Sequence, residues 1–262
     1  MSRCLWVAAM KTITSFLTSL FSVLLVAGCG GGGDSGTSTG PSAEGVYGGT
    51  LTGSTSSAFQ LLVLENGDFW SMYGTSTPTT FFVAGFVQGT GTSNNGSFTS
   101  SNAKDFGFSP ALAGTISATY NATTPSISGT VSATGGTVTF NGGAIAGSLY
   151  NYNTAAMVST ISGAWSLTEL DGSSLALTVA TNGAFTARSS DGCNFSGTVT
   201  PRSSGKNVFN VALTFGAAPC GLPGQAATGI AVAYPLSSGR TQLIVAAVDG
   251  TRNFGAAAFG TR

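Results

Sequence analysis

The sequence contains no histidine, and this absence excludes several kinds of chemistry together. Without an imidazole there is no Ser-His-Asp or Cys-His nucleophile, no histidine general base and no histidine-ligated zinc or iron. We therefore expect a protein that is not an enzyme, has no catalytic residue and uses neither a metal nor a cofactor.

Charged residues are also scarce. Lysine, arginine, aspartate and glutamate make up 7% of the chain, against about 25% in an average globular protein. Binding to nucleic acid depends on a basic patch that displaces counterions from phosphates, and nine basic residues balanced by nine acidic ones provide none. Nucleic acid is therefore excluded as a partner, and the surface is expected to be polar but nearly neutral.

The first 28 residues have the features of an export signal. Arg3 and Lys11 are the only charged residues before Asp34, and an apolar segment follows them at 12–26. This segment is shorter than the roughly 20 apolar residues of a transmembrane helix, and serines and threonines interrupt it. We predict a signal peptide over residues 1–28, with Met10 as an alternative start.

The apolar segment ends in Val26-Ala27-Gly28-Cys29, which resembles the lipobox of bacterial lipoproteins. In those proteins the bond before the cysteine is cut and its thiol receives a diacylglyceride, so the resemblance implies that lipid on Cys29 attaches the protein to a membrane. The next residue is Gly30 and not aspartate, which in these families favours the outer membrane, on either its periplasmic or its cell-surface face. Residues 29–43 are therefore predicted to be the lipidated cysteine followed by a flexible tether rich in glycine and serine.

The remainder of the chain is dominated by strand signals. Short alternating runs are separated by glycine, asparagine, aspartate and proline, and no helical period longer than a turn or two occurs. We predict an all-β protein with one lobe at 44–150, a linker at 151–160 and a second lobe at 161–262.

Each lobe is predicted to be a small antiparallel up-and-down β-barrel of about eight strands, because closure of the sheet removes its exposed edges. Two-sheet β-sandwiches are the alternative. Lobe two shows the strand pattern more clearly than lobe one. Its predicted strands lie near 165–170, 175–181, 184–189, 193–200, 207–215, 228–234, 241–248 and 253–260.

A weak internal repeat relates the two lobes. Tyr47 and Trp165 each lie in a Gly-x-aromatic strand start, and Asn66-Gly67 and Asn182-Gly183 follow these residues at distances of 19 and 17 positions. Asn-Gly supplies the two positive φ angles of a type I′ turn, so each dipeptide predicts the tip of a β-hairpin.

The cysteines predict one disulfide. Of four, one falls in the signal and Cys29 is the lipid site, which leaves Cys193 and Cys220 as an even pair in an oxidising compartment. Hairpin pairing about a turn near 203–206 puts Cys193 opposite about Gly216. The short loop that follows can cover the remaining gap to Cys220.

Two pairs of carboxylates offer a remaining route to catalysis. Glu65 and Asp68 flank the first Asn-Gly turn, and Glu169 and Asp171 straddle a strand end. Either pair could act as the acid and base of a glycosidase or hold calcium weakly, but aspartate at such positions more often stabilises a turn. A carboxylate hydrolase is therefore the least favoured alternative.

Two segments of lobe one depart from the alternating pattern. Residues 68–73 and 81–87 carry large apolar side chains on both faces, which a strand with one wet face should not do. Either lobe two covers these strands from outside, or they form an exposed patch for a ligand or partner protein. The residues of this candidate patch are Trp70, Met72, Tyr73, Phe81, Phe82 and Phe86.

Together these features resemble a group of uncharacterised bacterial outer-membrane lipoproteins. The resemblance rests on the lipobox and tether, the paired hairpins, the run Gly192-Cys193-x-Phe195-x-Gly197-Thr198, and Pro219-Cys220. It implies no activity and assigns no site residues. The lobes also look like the barrel parts of transferrin-binding-type surface lipoproteins, a likeness of architecture alone.

We therefore expect a non-catalytic, lipid-anchored module of the outer membrane that binds a partner protein or a small apolar ligand. A structural envelope or surface-coat protein is the alternative. The interiors of the lobes should separate these functions, since an aromatic-lined hollow favours a small ligand and a filled interior does not.

Overall fold

Antiparallel strands form nearly all of the regular structure in the computed structural model, which describes residues 40–145 and 148–262. The predicted signal peptide, Cys29 and most of the tether lie outside these ranges. Within them, the single 3-10 turn Val158–Thr160 is the only helical element, and no helix is long and apolar enough to cross a membrane.

The first nine strands form a closed barrel, the first barrel. Eight of them surround its interior, and the short strand β5 pairs only with β6 beside it. Closure comes from pairing of β4 with β6, at Val87 with Asp105 and Gln88 with Lys104. The strands are β1 (Gly45–Thr52), β2 (Ala58–Val63), β3 (Asp68–Ser76), β4 (Phe81–Thr90), β5 (Thr92–Asn94), β6 (Ser97–Asp105), β7 (Leu112–Asn121), β8 (Ser126–Ala133) and β9 (Gly136–Gly143).

The remaining eight strands form the second barrel, in which each strand pairs with the next and the last pairs with the first. Thr168 lies opposite Phe259 at the closing seam. The prediction of two tandem eight-stranded barrels is confirmed, and the sandwich alternative is wrong. The strands are β10 (Gly163–Glu169), β11 (Ser174–Val179), β12 (Ala184–Ser189), β13 (Asn194–Pro201), β14 (Phe209–Phe215), β15 (Ala226–Pro235), β16 (Thr241–Asp249) and β17 (Gly255–Thr261).

Strict alternation of apolar and polar residues locates those strands of the second barrel that face away from the first barrel. In β11 the residues Leu175, Leu177 and Val179 are buried in the barrel, and the residues between them are exposed. The same pattern holds in β12. Period-2 burial of this kind is what a sheet with one apolar and one wet face requires.

The Asn-Gly hairpins form at the predicted places, but the predicted turn type is wrong. Only Gly67 and Gly183 have positive φ angles, both of +84°, and neither preceding asparagine does. The amide of Gly67 donates to Leu64 O at 2.9 Å, and the amide of Leu64 donates to Asp68 O at 2.8 Å. This is a type I turn closed by a left-handed glycine, the three-residue hairpin with a bulge. In each turn the asparagine side chain instead accepts a hydrogen bond from the amide two residues ahead.

The two barrels pack together through strands that are apolar on both faces. Strands β2, β3 and β4 of the first barrel meet β15, β16 and β17 of the second. One apolar cluster lies between them, separate from the cluster inside each barrel. The largest buried members of this inter-barrel cluster are Leu62, Trp70, Met72, Phe81, Phe86, Ile230, Val232, Tyr234, Ile244, Val248 and Phe259.

A buried glutamine fixes the register of this packing. Gln242 is 1% exposed, and its side-chain Nε2 donates to Phe81 O at 2.7 Å while Phe81 N donates to its Oε1 at 3.2 Å. One side chain of the second barrel therefore satisfies both backbone groups of a residue in the first.

Disulfide formation between Cys193 and Cys220 is confirmed, with a Cα–Cα distance of 4.5 Å. The pairing is one residue away from the predicted register, since Phe195 lies opposite Phe215 and the Gly216 amide donates to Asn194 O. The bond joins residues 27 apart. Chain entropy lost by the unfolded state gives such a cross-link about 3–4 kcal/mol of stabilisation.

We predict that Gln242→Leu lowers the free energy of unfolding by about 2 kcal/mol, because the buried amide and carbonyl of Phe81 lose their partners. Denaturant unfolding of the two variants Gln242→Leu and Gln225→Leu measures this. Gln225 is exposed, so its replacement controls for the general effect of the substitution. Equal stability of the two variants would contradict the assigned role of Gln242.

Candidate ligand cavity

The interiors of the two barrels differ in how fully they are packed. The second barrel encloses about 50 Å³ of free space, and the first encloses about 260 Å³. An engineered apolar cavity of about 150 Å³ is enough to bind benzene. The second barrel is therefore essentially filled, and the first has room for a small organic molecule.

The walls of the first-barrel cavity are mainly aromatic and aliphatic. Phe59 and Phe140 meet edge to face, with ring centroids 5.6 Å apart. Apolar walls with a few polar groups are typical of small-molecule sites. The apolar lining residues are Leu51, Phe59, Leu61, Val87, Phe98, Phe108, Ile116, Val131, Val138 and Phe140.

One end of the first barrel forms the mouth of this cavity. The loop between β1 and β2 contributes residues 53–56 to the lining, and the loop between β6 and β7 contributes Phe108. Phe108 is 55% exposed, although it is a large apolar side chain. An exposed aromatic ring at the entrance is suited to contact with an apolar ligand.

The opposite end is closed by the segment that leads into β1. The hydroxyl of Tyr47 donates to Ala43 O at 2.9 Å, and the hydroxyl of Tyr120 donates to Pro41 O at 2.6 Å. Burial, together with the neighbouring Tyr120, raises the pKa of Tyr47 to about 12. The chain thus enters the first barrel at the end away from the mouth.

A tyrosine and an aspartate form the main polar feature of the cavity wall. The Tyr73 hydroxyl donates to Asp105 Oδ1 at 2.7 Å, and the Gly107 amide donates to the same oxygen at 2.8 Å. Burial and the adjacent Asp105 carboxylate raise the pKa of Tyr73 above its ordinary value. Tyr73 therefore remains a neutral donor and holds the carboxylate in place.

Two glycines make room for this arrangement. A β-carbon on Gly107 would lie 1.8 Å from the Tyr73 hydroxyl oxygen, and one on Gly85 would lie 2.2 Å from it. Either contact is far shorter than two non-bonded atoms allow. Glycine at both positions is thus a requirement of the Tyr73–Asp105 hydrogen bond.

The residues of the predicted aromatic patch occupy three different places. Trp70, Met72, Phe81 and Phe86 are buried in the inter-barrel cluster, as the first of the two interpretations expected. Tyr73 faces the opposite way, into the cavity. Phe82 is 50% exposed and packs edge to face against Phe259. These residues do not form one exposed surface.

Both carboxylates of the first predicted pair, Glu65 and Asp68, bind other side chains of the protein. Glu65 forms an ion pair with Arg202 of the second barrel at 2.7 Å. Asp68 Oδ2 accepts a hydrogen bond from the side chain of Asn66, and Asp68 Oδ1 accepts one from the hydroxyl of Thr90. Glu65 thus links the barrels, and Asp68 stabilises a turn.

The two carboxylates of the second predicted pair, Asp171 and Glu169, also have separate partners within the protein. Asp171 caps a turn by accepting a hydrogen bond from the Ser173 amide at 2.8 Å. Glu169 instead accepts a hydrogen bond from the Ser189 hydroxyl at the wall of the second barrel. Across residues 40–145 and 148–262, no group of three or more cysteine or acidic side chains is arranged to hold a metal ion.

A wider polar cleft of about 570 Å³ lies between the barrels, but its charged groups already bind one another or the backbone. Arg252 donates to Gln88 Oε1 at 2.7 Å and to Gln88 O at 2.8 Å, and Arg202 is paired with Glu65. Hydrogen bonds from Thr251 and three backbone amides outweigh the effect of burial and lower the pKa of Asp249. These groups join the barrels, so the first-barrel cavity is the stronger candidate site.

Comparison with known proteins gives no relative of this chain. No family model matches it, and no curated protein or solved structure is detectably similar. The resemblance to outer-membrane lipoproteins therefore stays a prediction, and the function has to be argued from the cavity itself.

Glu169 should make the stability of the protein depend on pH. Burial raises the pKa of this carboxyl, the charges of Asp171 and Asp191 raise it further, and the Ser189 hydrogen bond only partly opposes them. The folded protein thus holds this proton more tightly than the unfolded chain. The resulting stabilisation is complete in acid and is lost as the pH rises above the ordinary glutamate value of about 4.3.

We predict that Glu169→Gln removes this loss of stability above about pH 4.3. Denaturant unfolding at a series of pH values measures it. Glu65→Gln is the matched comparison and should have the opposite sign. Although burial opposes ionisation of Glu65, its backbone hydrogen bond and Arg202 lower its pKa, so its contribution is complete above about pH 4.3 and is lost as the pH falls below that value. Parallel pH profiles for Glu169→Gln and the unmodified protein would contradict the assignment.

Proposed function

We propose that this protein is a non-catalytic, lipid-anchored envelope module that binds a small, mainly apolar molecule inside its first barrel. The observation that carries the proposal is the contrast between two barrels of one chain, one filled and one hollow. Unfilled apolar volume costs stability, because the atoms that line it lose packing contacts. A second barrel packed without such a cavity indicates that the fold does not require one.

The arrangement of the first barrel supports entry of a ligand. Its mouth carries an exposed Phe108 and the polar residues of the loop between β1 and β2. The other end is closed by residues 41–43 through the hydroxyls of Tyr47 and Tyr120. The first residues that the structure describes therefore lie at the closed end.

Anchoring through Cys29 is the part of the proposal that rests on the lipobox alone. We expect the protein, expressed with its own leader in a Gram-negative host, to be in the membrane fraction with an acylated N-terminal cysteine. Replacement Cys29→Ser should release it to the soluble envelope fraction without changing its unfolding. Mass spectrometry of the N-terminal peptide is the measurement, and an intact leader or an unacylated sulfur would overturn the anchoring.

Ligand binding can be tested with the neutral fluorophore N-phenyl-1-naphthylamine, whose emission rises in apolar surroundings. We expect saturable binding to the unmodified protein and loss of most of it in Val138→Trp, because the added indole fills the cavity. Thr139→Trp is the matched control, since Thr139 is the next residue of β9 and faces outward.

Circular dichroism and thermal unfolding of both variants show whether each has kept its fold. Binding that survives in Val138→Trp, or that is lost equally in Thr139→Trp, would contradict the first barrel as the site. Absence of saturable binding to the unmodified protein would overturn the proposed function.

A further inference from the structure

The Asp105 carboxylate on the cavity wall is only half used by the protein. Its Oδ1 accepts the Tyr73 hydroxyl and the Gly107 amide, at 2.7 and 2.8 Å. No residue in the described ranges donates a hydrogen bond to Oδ2. An ionised carboxylate has about four acceptor positions, so this oxygen can still accept hydrogen bonds from a ligand.

No cation of the described chain forms an ion pair with Asp105. The two ion pairs within residues 40–145 and 148–262 are Arg202–Glu65 and Lys206–Glu44. Lys104 precedes Asp105, but its Nζ donates to Arg252 O at 2.7 Å and to Asn253 Oδ1 at 3.0 Å. The nearest lysine along the chain is therefore committed to the contact between the barrels.

The Asp105 carboxylate is half-buried on the last residue of β6, beside the mouth of the cavity. A cation with an N–H donor is the natural complement of such a group, because a charge-assisted hydrogen bond is stronger than a neutral one. Here the carboxylate is held by two donors to one oxygen and lines a cavity whose other walls are largely aromatic and aliphatic. Aromatic faces also attract cations, so the walls and the carboxylate favour the same ligand chemistry.

We propose that the ligand of the first barrel is a small organic ammonium, with its N–H group on Asp105 Oδ2 and its apolar body against the rings of Phe59, Phe98 and Phe140. This inference rests on the proposed function and specifies its ligand class. Tyr73 acts as a positioning residue, because its hydroxyl fixes the carboxylate that would contact the ligand. A cavity of about 260 Å³ suits a body the size of one or two fused rings better than a long lipid chain.

The test uses two probes of the same shape, 2-naphthylmethylammonium and its neutral counterpart 2-naphthylmethanol. Titration of the full protein by calorimetry gives an affinity for each. A hydrogen bond to a charged group contributes about 1.5–3 kcal/mol, so we expect the ammonium to bind about tenfold more tightly or better. In Asp105→Asn this preference should disappear, while the affinity for the alcohol changes less than about threefold.

Asp171→Asn is the matched control, because it removes the same charge from an exposed turn of the second barrel. It should retain the full preference for the ammonium, which excludes a general effect of net charge. Tyr73→Phe should weaken binding of the ammonium more than that of the alcohol, whereas a purely structural role would weaken both equally.

The outcomes separate the two proposals. If both probes bind the unmodified protein equally, the cavity is a binding site but the ammonium inference is wrong. Equal weakening of both probes by Asp105→Asn would also overturn it, since the carboxylate would then act only on the shape of the barrel. If neither probe binds, and the neutral fluorophore does not bind either, the proposed function fails and the inference fails with it.

Discussion

The apolar contact between the two barrels is the interaction on which the rest of the structure depends. Each barrel closes its own hydrogen-bonded edges, so no strand of one barrel extends the sheet of the other, and side-chain packing provides most of the contact between them. Strands β2–β4 and β15–β17 provide this packing because they carry apolar residues on both faces. Gln242 adds hydrogen bonds to Phe81 that fix the position of one barrel against the other. The low charge of the chain fits this design, since the described residues form only two ion pairs.

This contact also supports the mouth of the cavity. The loop between β6 and β7 begins with Phe106, which stacks on Phe86 of the inter-barrel cluster with centroids 4.8 Å apart. Farther along, the Ala111 amide donates to Asn253 O of the second barrel at 2.9 Å. Asp105 and Phe108 are therefore carried by a segment fixed at both ends by the contact between the barrels. The second barrel, although filled, thus holds the segment at the mouth of the first-barrel cavity in position.

The exposure of side chains determines how much of the fold can be predicted from the sequence. Strands such as β11 have one face in water, so the alternation of apolar and polar residues alone locates them. Segments 68–73 and 81–87 have apolar residues on both faces, which correctly indicated that another part of the protein covers their outer face. The turn type was missed because Asn-Gly fits both a type I′ turn and a type I turn with a left-handed glycine. Asp105 was missed because a register shift between Ser100 and Ala103 interrupts the alternation of β6, so counting by twos does not place its side chain in the interior.

The internal repeat is visible in the first strand of each barrel. Tyr47 lies opposite Leu61 as Trp165 lies opposite Leu177, and each aromatic side chain donates to the carbonyl four residues earlier. Two residues further along the first strand of each barrel, Leu167 fills the second barrel at a position where the first has Gly49. A β-carbon at Gly49 would lie 2.0 Å from Asn141 O, so the close approach of β9 excludes any larger residue there. The repeated strands thus begin alike and diverge two residues later, where the close approach of β9 leaves room only for glycine in the first barrel and Leu167 packs into the interior of the second.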